Sequence, residues 1–268
     1  MKTHRAAWLS LLVLVLIGQA SPVRAGEAEI HTFHCLHGCP MGASATNDLV
    51  VREIYTLSSN DRTKFADWVA YRVTPDSVGP SGARRWQADP WLDWNETLEE
   101  RDYEGAPVAL GIDRGHQAPL AAFSGTAFAA DTNILSNITP QASALNQASW
   151  QRLEAQERRF VQGRAGEGRG AVRLYVLTGP LYERPMPAMP MPAGYRRHRV
   201  PSGYWKVLAT EDGRMSAFIF DQDTLRSANH CDHRAALLEV EIRADLNLFP
   251  RLDQRGFTPL DVDLGCGG

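Results

Sequence analysis

The sequence predicts an α+β fold built on a mostly antiparallel sheet. Three observations carry this reading: two β-prone runs early in the chain joined by a short polar turn, one long helical pattern in the middle, and three further β-prone runs after it. Nowhere do strands and helices alternate in a βαβ rhythm, and no internal repeat is visible.

Residues 49–57 (LVVREIYTL) are rich in β-branched and apolar side chains and read as a strand. Residues 65–73 alternate imperfectly, with Phe65, Val69, Tyr71 and Val73 on one side, and read as its neighbour across the polar turn 58–63. Residues 75–103 are dense in Pro, Gly, Trp and charge; such long irregular segments on compact domains often carry function. The short apolar stretch 108–112 reads as a strand leading into a turn, Asp113-Arg114-Gly115-His116. The helix lies within residues 133–160. Thr139-Pro140 fits an N-cap followed by proline at the first helical position. Residues 142–161 contain no Gly or Pro, and Leu145, Ala148, Leu153, Gln156 and Phe160 fall near one face. Gly163, Gly166, Gly168 and Gly170 end it. Residues 172–178, 204–208 and 216–220 are the later strands, and the Met/Pro-rich loop 185–192 reads as a surface excursion.

The chain of 268 residues is 44% hydrophobic and 22% charged, which supports a buried core and excludes a disordered or fibrous chain. A net charge of −3 excludes a binder that relies on bulk positive charge. Lys2 and Arg5 precede an apolar stretch, 8–17, broken only by Ser10, and Val23-Arg24-Ala25 places small residues where a signal peptidase reads. That stretch is too short to cross about 30 Å of hydrocarbon. Residues 1–25 therefore read as a cleaved signal, and 26–268 as one exported domain, secreted or periplasmic, with no membrane association after cleavage. Loss of Lys2, Arg5 and Arg24 leaves 25 basic against 31 acidic residues, a net charge of −6.

Export governs the cysteines. Cys35, Cys39, Cys231 and Cys266 are an even set, which in an oxidising compartment suggests two disulfides. Three pairings are open to four cysteines; Cys35 with Cys39 and Cys231 with Cys266 is the simplest. The competing reading is zinc held by His31, His34, Cys35, His37 and Cys39, a set that could also serve a zinc hydrolase. Oxidised thiols and the lack of a second ligand cluster nearby speak against it.

The chemistry concentrates around His116, Asn146 and Glu154. Asn146 and Glu154 are eight residues apart, about 80° around an α-helix, so both can lean toward one edge. Glu154 and Arg158 form an i,i+4 pair. Amide and carboxylate oxygens beside an imidazole suit a hard cation next to a base.

The residues 113–119 (DRGHQAP), Asn133, 135–141 (LSNITPQ), Leu145-Asn146-Gln147, Trp150 and Leu153-Glu154 resemble the DNA/RNA non-specific endonucleases of the ββα-metal superfamily. The chain is similar to the secreted Serratia-type nucleases and, more distantly, to mitochondrial endonuclease G. The resemblance extends to segments 64–71, 84–86, 178–183 and 200–206 and to the four cysteines, so it covers roughly residues 35–266.

It implies a ββα-metal core with a mostly antiparallel central sheet flanked by helices, and hydrolysis of DNA and RNA, single- and double-stranded, to 5′-phosphate ends. It also implies roles. His116 is the general base; Asn146 is the direct ligand of Mg²⁺, with Mn²⁺ as substitute; Glu154 holds the cation's waters, and Asn137, Gln141 and Arg158 extend that network. Arg84 steadies the phosphate, although adjacent Arg85 would shift the register by one. Arg114 divides between phosphate contact and a structural salt bridge, and Asp113 reads as structural. Arg84, Arg85, Arg114, Arg152 and Arg158 are the candidates for a local basic patch. The family includes homodimers, but no self-complementary patch is evident. The rival from another class is an exported nucleic-acid-binding module that kept the fold and lost catalysis; the intact His116, Asn146 and Glu154 argue against it.

Overall fold

A computed structural model describes residues 29–80, 82–166, 173–190, 198–252 and 256–267. The signal reading, 1–25, lies outside the described residues, as do Gly168, Gly170, Val172, Met191 and Pro192.

The main sheet runs in the order β1 (Asp48–Val51), β2 (Tyr55–Ser59), β3 (Ala66–Val73), β6 (Leu174–Leu181), β7 (Gly203–Ala209), β8 (Arg214–Asp221), β10 (Thr258–Pro259), with β9 (Arg234–Ala235) also on β8. Its pairings are antiparallel apart from β8 with β10. The remaining strands, β4 (Ile112–His116) and β5 (Ile138–Ala142), form a separate antiparallel hairpin. The helices are α1 (Ala106–Leu110), α2 (Leu120–Phe123), α3 (Ser143–Leu145), α4 (Gln151–Gly166) and α5 (Leu237–Ala244), and a π-turn, Asn146–Trp150, links α3 to α4.

The central strands are covered on both faces, because period-two alternation sends successive side chains to two apolar layers. Val69, Tyr71, Val73, Tyr204, Leu208, Phe218 and Phe220 pack with Trp150, Leu153 and Phe160 of the long helix. Trp68, Ala70, Trp205, Val207, Ala217 and Ile219 face a second layer closed by Val240, Leu246, Leu248 and Phe249. A third cluster, including Phe65, Tyr103, Ile112, Leu135, Ile138 and Met189, lies against the β4–β5 hairpin.

Four local expectations are corrected. The run 49–57 is a hairpin of two strands, because Arg52 turns inward to pair with buried Asp89 under the Trp91 ring. Residues 106–110 form a helix, and Asp113-Arg114-Gly115-His116 lies along strand β4 instead of in a turn. Thr139 and Pro140 do not cap the helix. They pair in β5 with Gly115 and Arg114, so the helix begins at Ser143 with Ala142 as its N-cap. Long-range pairing overrides the local capping signal here. Finally, Met189 in the Met/Pro loop is fully buried, so this segment covers part of the core. On the helix, Leu145, Ala148, Leu153 and Phe160 are buried as expected, but Gln156 is only partly covered and its neighbour Glu157 is buried.

Both disulfides, Cys35–Cys39 and Cys231–Cys266, are formed. Of the zinc set, His34 is occupied by hydrogen bonding with Thr56 Oγ1 at 2.9 Å and Glu53 O at 3.2 Å. The thiols that zinc would need are in the disulfide. Cys266 anchors the last segment, whose Leu260 and Leu264 are buried in the main core.

Two outcomes follow. The intact mass of the protein should lie four hydrogens below that of the reduced sequence; four free thiols under native conditions would refute both bridges. A Cys231→Ser/Cys266→Ser variant should lose about 3–4 kcal/mol in urea unfolding, the loop-closure value for its span.

Candidate active site

The β4–β5 hairpin and the helix after it form one continuous ββα unit, and its concave side lines a cleft of about 610 Å³. Arg84, Trp86, Asp113, Arg114, His116, Asn146, Glu154 and Arg158 all border it.

His116 ends β4, opposite Ile138. The preceding residue must be glycine, because a Cβ on Gly115 would lie 2.6 Å from both Cβ and Oε1 of Gln141. The imidazole Nε2 lies 3.2 Å from Asn133 Oδ1, and the Trp86 ring packs against it at 5.4 Å between centroids. With Asn133 accepting, Nε2 carries the proton and Nδ1 keeps the lone pair. Burial pushes the imidazole down to about 4; the Asn133 bond opposes the shift and the Arg84 charge reinforces it. A neutral ring near pH 7 is the state a general base requires.

The π-turn changes the helix geometry in a useful direction. One residue is absorbed into the wider turn, so the eight steps from Asn146 to Glu154 act as about seven α-helical steps. The angle between the two side chains then falls from about 80° to about 20°. Both border the cleft. The carboxylate of Asp113 accepts from Asn146 Nδ2 at 2.9 Å, from Gln147 Nε2 at 2.8 Å and from Ser143 Oγ at 2.6 Å. This fixes the amide with Oδ1 as the atom left for a ligand. Asn146 and Glu154 thus offer a neutral and an anionic oxygen, a hard donor set that fits Mg²⁺ or Mn²⁺.

Glu154 sits above a buried polar cluster. Its Oε1 is 3.9 Å from Lys206 Nζ, which bonds Glu157 Oε1 at 2.9 Å and Tyr71 Oη at 3.0 Å and lies 4.4 Å from the Trp150 ring centre. Tyr71 donates to Glu157 Oε2 at 2.9 Å. Burial pushes the Glu154 carboxyl up to about 7, against the pull of Lys206 and with a further push from Glu157.

The other expected residues divide. Arg84 borders the cleft and Arg85 does not. Arg84 and Trp86 are held in place by the segment that follows: Gln87 bridges Ile134, and Asp89 joins Arg52 and Ser136. Arg114 borders the cleft while donating to Glu100 O at 3.1 Å between the Trp86 and Tyr103 rings. Arg158 also faces the cleft. Asn137 does not. It is buried, accepting from Ala118 N and donating to the Ala118 and Thr132 carbonyls, and it fixes the chain after His116. Gln141 is buried beneath Gly115 and does not border the cleft either. Arg152 donates to Ser149 Oγ and the Ala228 carbonyl and does not border the cleft.

Sequence reasoning gave no role to Asn133, Trp86, Lys206, Glu157 or Tyr71; Asp113, read as structural, holds Ser143, Asn146 and Gln147. Strand alternation carried one usable signal: Lys206 shares its face of β7 with Tyr204 and Leu208, both core residues.

Titration of His116, followed through its ring-proton NMR signals, should give a midpoint near 4. The unfolded chain takes up this proton near pH 6.5, and the folded chain resists it down to about pH 4. Acidification across that window should therefore destabilise the fold. An ordinary midpoint near 6.5 would contradict the buried environment.

The profile of the DNA/RNA non-specific endonuclease family matches residues 37–255. The chain is 41% identical to the nuclease of Serratia marcescens over 248 residues, 91% of this chain and 89% of that protein. It is 33% identical to human mitochondrial endonuclease G over 145 residues, 53% of this chain and 45% of that protein. The nuclease of Syncephalastrum racemosum is 29% identical over 244 residues, 82% of this chain and 73% of that one. In structure, a solved complex of EndoG with EndoGI superimposes with a TM-score of 0.64 at 22% identity, covering 79% of this chain and 89% of that one, which establishes the shared fold. The chain belongs to the DNA/RNA non-specific endonuclease family.

Proposed function

We propose that residues 26–268, after loss of a signal peptide, act as one exported domain, secreted or periplasmic. It hydrolyses phosphodiester bonds of DNA and RNA, single- and double-stranded, and leaves 5′-phosphate ends. The observation that carries this reading is the convergence of a neutral imidazole, an oxygen-only donor pair and three arginines on one cleft.

His116 takes a proton from the attacking water at Nδ1, while Asn133 and Trp86 hold the ring in place. Asn146 Oδ1 would hold Mg²⁺ or Mn²⁺, with Glu154 accepting from the cation's water shell and Asp113 fixing the amide. The cation, when bound, supplies positive charge beside the phosphate and the departing 3′ oxygen. Arg84, on the border of the cleft, holds the phosphate as its charge develops, since a guanidinium can donate to two oxygens at once. Arg114 and Arg158 extend the cationic border of the cleft. These assignments address phosphate and water. None addresses a base edge, which accounts for cleavage with little sequence or sugar preference. Local positive charge in a cleft suffices for a net-acidic enzyme that must release its product.

The central test is digestion of supercoiled DNA and of RNA by the exported chain, with and without EDTA. Cleavage of both substrates that stops in EDTA is expected; undiminished cleavage in excess chelator would refute the cation's role. His116→Ala should lower the rate by roughly two to four orders of magnitude while cation binding persists. Asn146→Ala should weaken cation binding and regain part of its activity at high Mg²⁺. Both variants should stay folded, because neither side chain belongs to the apolar core. If His116→Ala kept near-normal turnover, or lost cation binding as fully as Asn146→Ala, the two roles would be misassigned.

A further inference from the structure

We propose that Glu157 is a positioning residue for the cation site: by neutralising Lys206 it leaves the Glu154 carboxylate free to face the cleft. The inference rests on the cation reading above and deepens it.

Lys206 and Glu157 are both fully buried, and their side chains meet at 2.9 Å. A lysine enclosed between a sheet and a helix is held only where an anion meets it. Two carboxylates compete for this ammonium. Glu157 has it at hydrogen-bond distance, and Tyr71 completes the arrangement by accepting from Lys206 and donating to Glu157. Glu154 stands further off, at 3.9 Å, with its side chain still partly open to the cleft. With the ammonium matched by Glu157, Glu154 is the carboxylate left facing the cleft that Asn146 and Arg158 also border. The ammonium is near enough to steady Glu154 and too far to take it out of the cleft.

The sign of the effect follows from this charge balance. Glu157→Gln would leave Lys206 without its closer partner. Lys206 would then pair with Glu154, and a cation would have to compete with a built-in ammonium. Removing the ammonium as well, in Glu157→Gln/Lys206→Met, takes away that built-in competitor, and Arg158 remains as the cationic neighbour of Glu154. The single change should therefore weaken cation binding more than the double change; a structural ion pair gives the same order in stability, so affinities are compared only between variants that fold.

The experiment measures Mn²⁺ binding to the exported chain, without nucleic acid, by electron paramagnetic resonance. Circular dichroism checks the fold of every variant. Glu157→Gln should bind Mn²⁺ about 10–100-fold more weakly than the wild type, the range seen when a partner behind a ligand is lost. Glu157→Gln/Lys206→Met should bind within about threefold of the wild type, a span below 1 kcal/mol. Equal affinity in wild type and Glu157→Gln overturns the proposal, and so does a double variant as weak as the single one. If Glu157→Gln fails to fold, the double variant decides alone: near-wild-type affinity supports the proposal and a tenfold loss overturns it. Asn146→Ala separates this inference from the reading beneath it. Unchanged Mn²⁺ binding in Asn146→Ala removes the cation site itself, whereas loss there with no effect of Glu157→Gln removes only the role of Glu157.

Discussion

The buried pair Lys206–Glu157 joins the parts of the protein that matter for its chemistry. Lys206 belongs to β7, Tyr71 to β3 and Glu157 to α4, so one polar cluster pins the long helix to the centre of the sheet. An ion pair in such a place adds little net stability compared with apolar residues of the same volume, yet breaking it on one side is expensive, about 3–5 kcal/mol. It therefore acts as a registration device: the helix can slide or rotate only by separating the two charges. Asn146 and Glu154 lie on that same helical run, and their aim into the cleft depends on its rotation.

A second constraint works from the opposite side of the cleft. The β4–β5 hairpin carries His116 at one strand end, and it can approach Gln141 closely only because residue 115 lacks a side chain. Asp113, two residues earlier on the same strand, reaches across to Ser143, Asn146 and Gln147. The strand that presents His116 thus also orients the Asn146 amide. The two side chains are coupled through one short rigid element, which is how a site keeps its geometry without a large core of its own. The π-turn completes this coupling by rotating Asn146 toward the face of Glu154.

Burial sets the chemical state of the site as much as position does. The same desolvation that keeps His116 neutral pushes the Glu154 carboxyl toward its own neutral form. The first effect serves a base, and the second must be offset before Glu154 can serve a cation. Lys206 provides part of that offset from below, and Arg158 adds to it. One dry cleft thus carries two opposite requirements, met by different neighbours.

The sequence by itself determined the class of fold, the positions of several main-sheet strands, the long helix and three residues, His116, Asn146 and Glu154, that border one cleft. These are written in local periodicity and in the spacing of Asp113-Arg114-Gly115-His116, Asn146 and Glu154, which do not depend on distant contacts. Tertiary structure decided where local signals competed with long-range pairing. Thr139-Pro140 carries a capping signal, yet the hairpin with β4 claims both residues for a strand. Arg84 and Arg85 are equivalent as letters, and only the docking of the segment behind them turns one toward the cleft. Asn137, Gln141 and Arg152 read as site residues because polar side chains near a motif look alike in sequence. Folding buries Asn137 and Gln141 and ties Arg152 to a loop carbonyl. The cluster of Tyr71, Glu157 and Lys206 spans 135 positions along the chain, and no local pattern links its members. Their partnership exists only once strand order brings β3 and β7 beneath the helix, because a charge is sheltered or exposed by what packs around it and not by its neighbours in the chain.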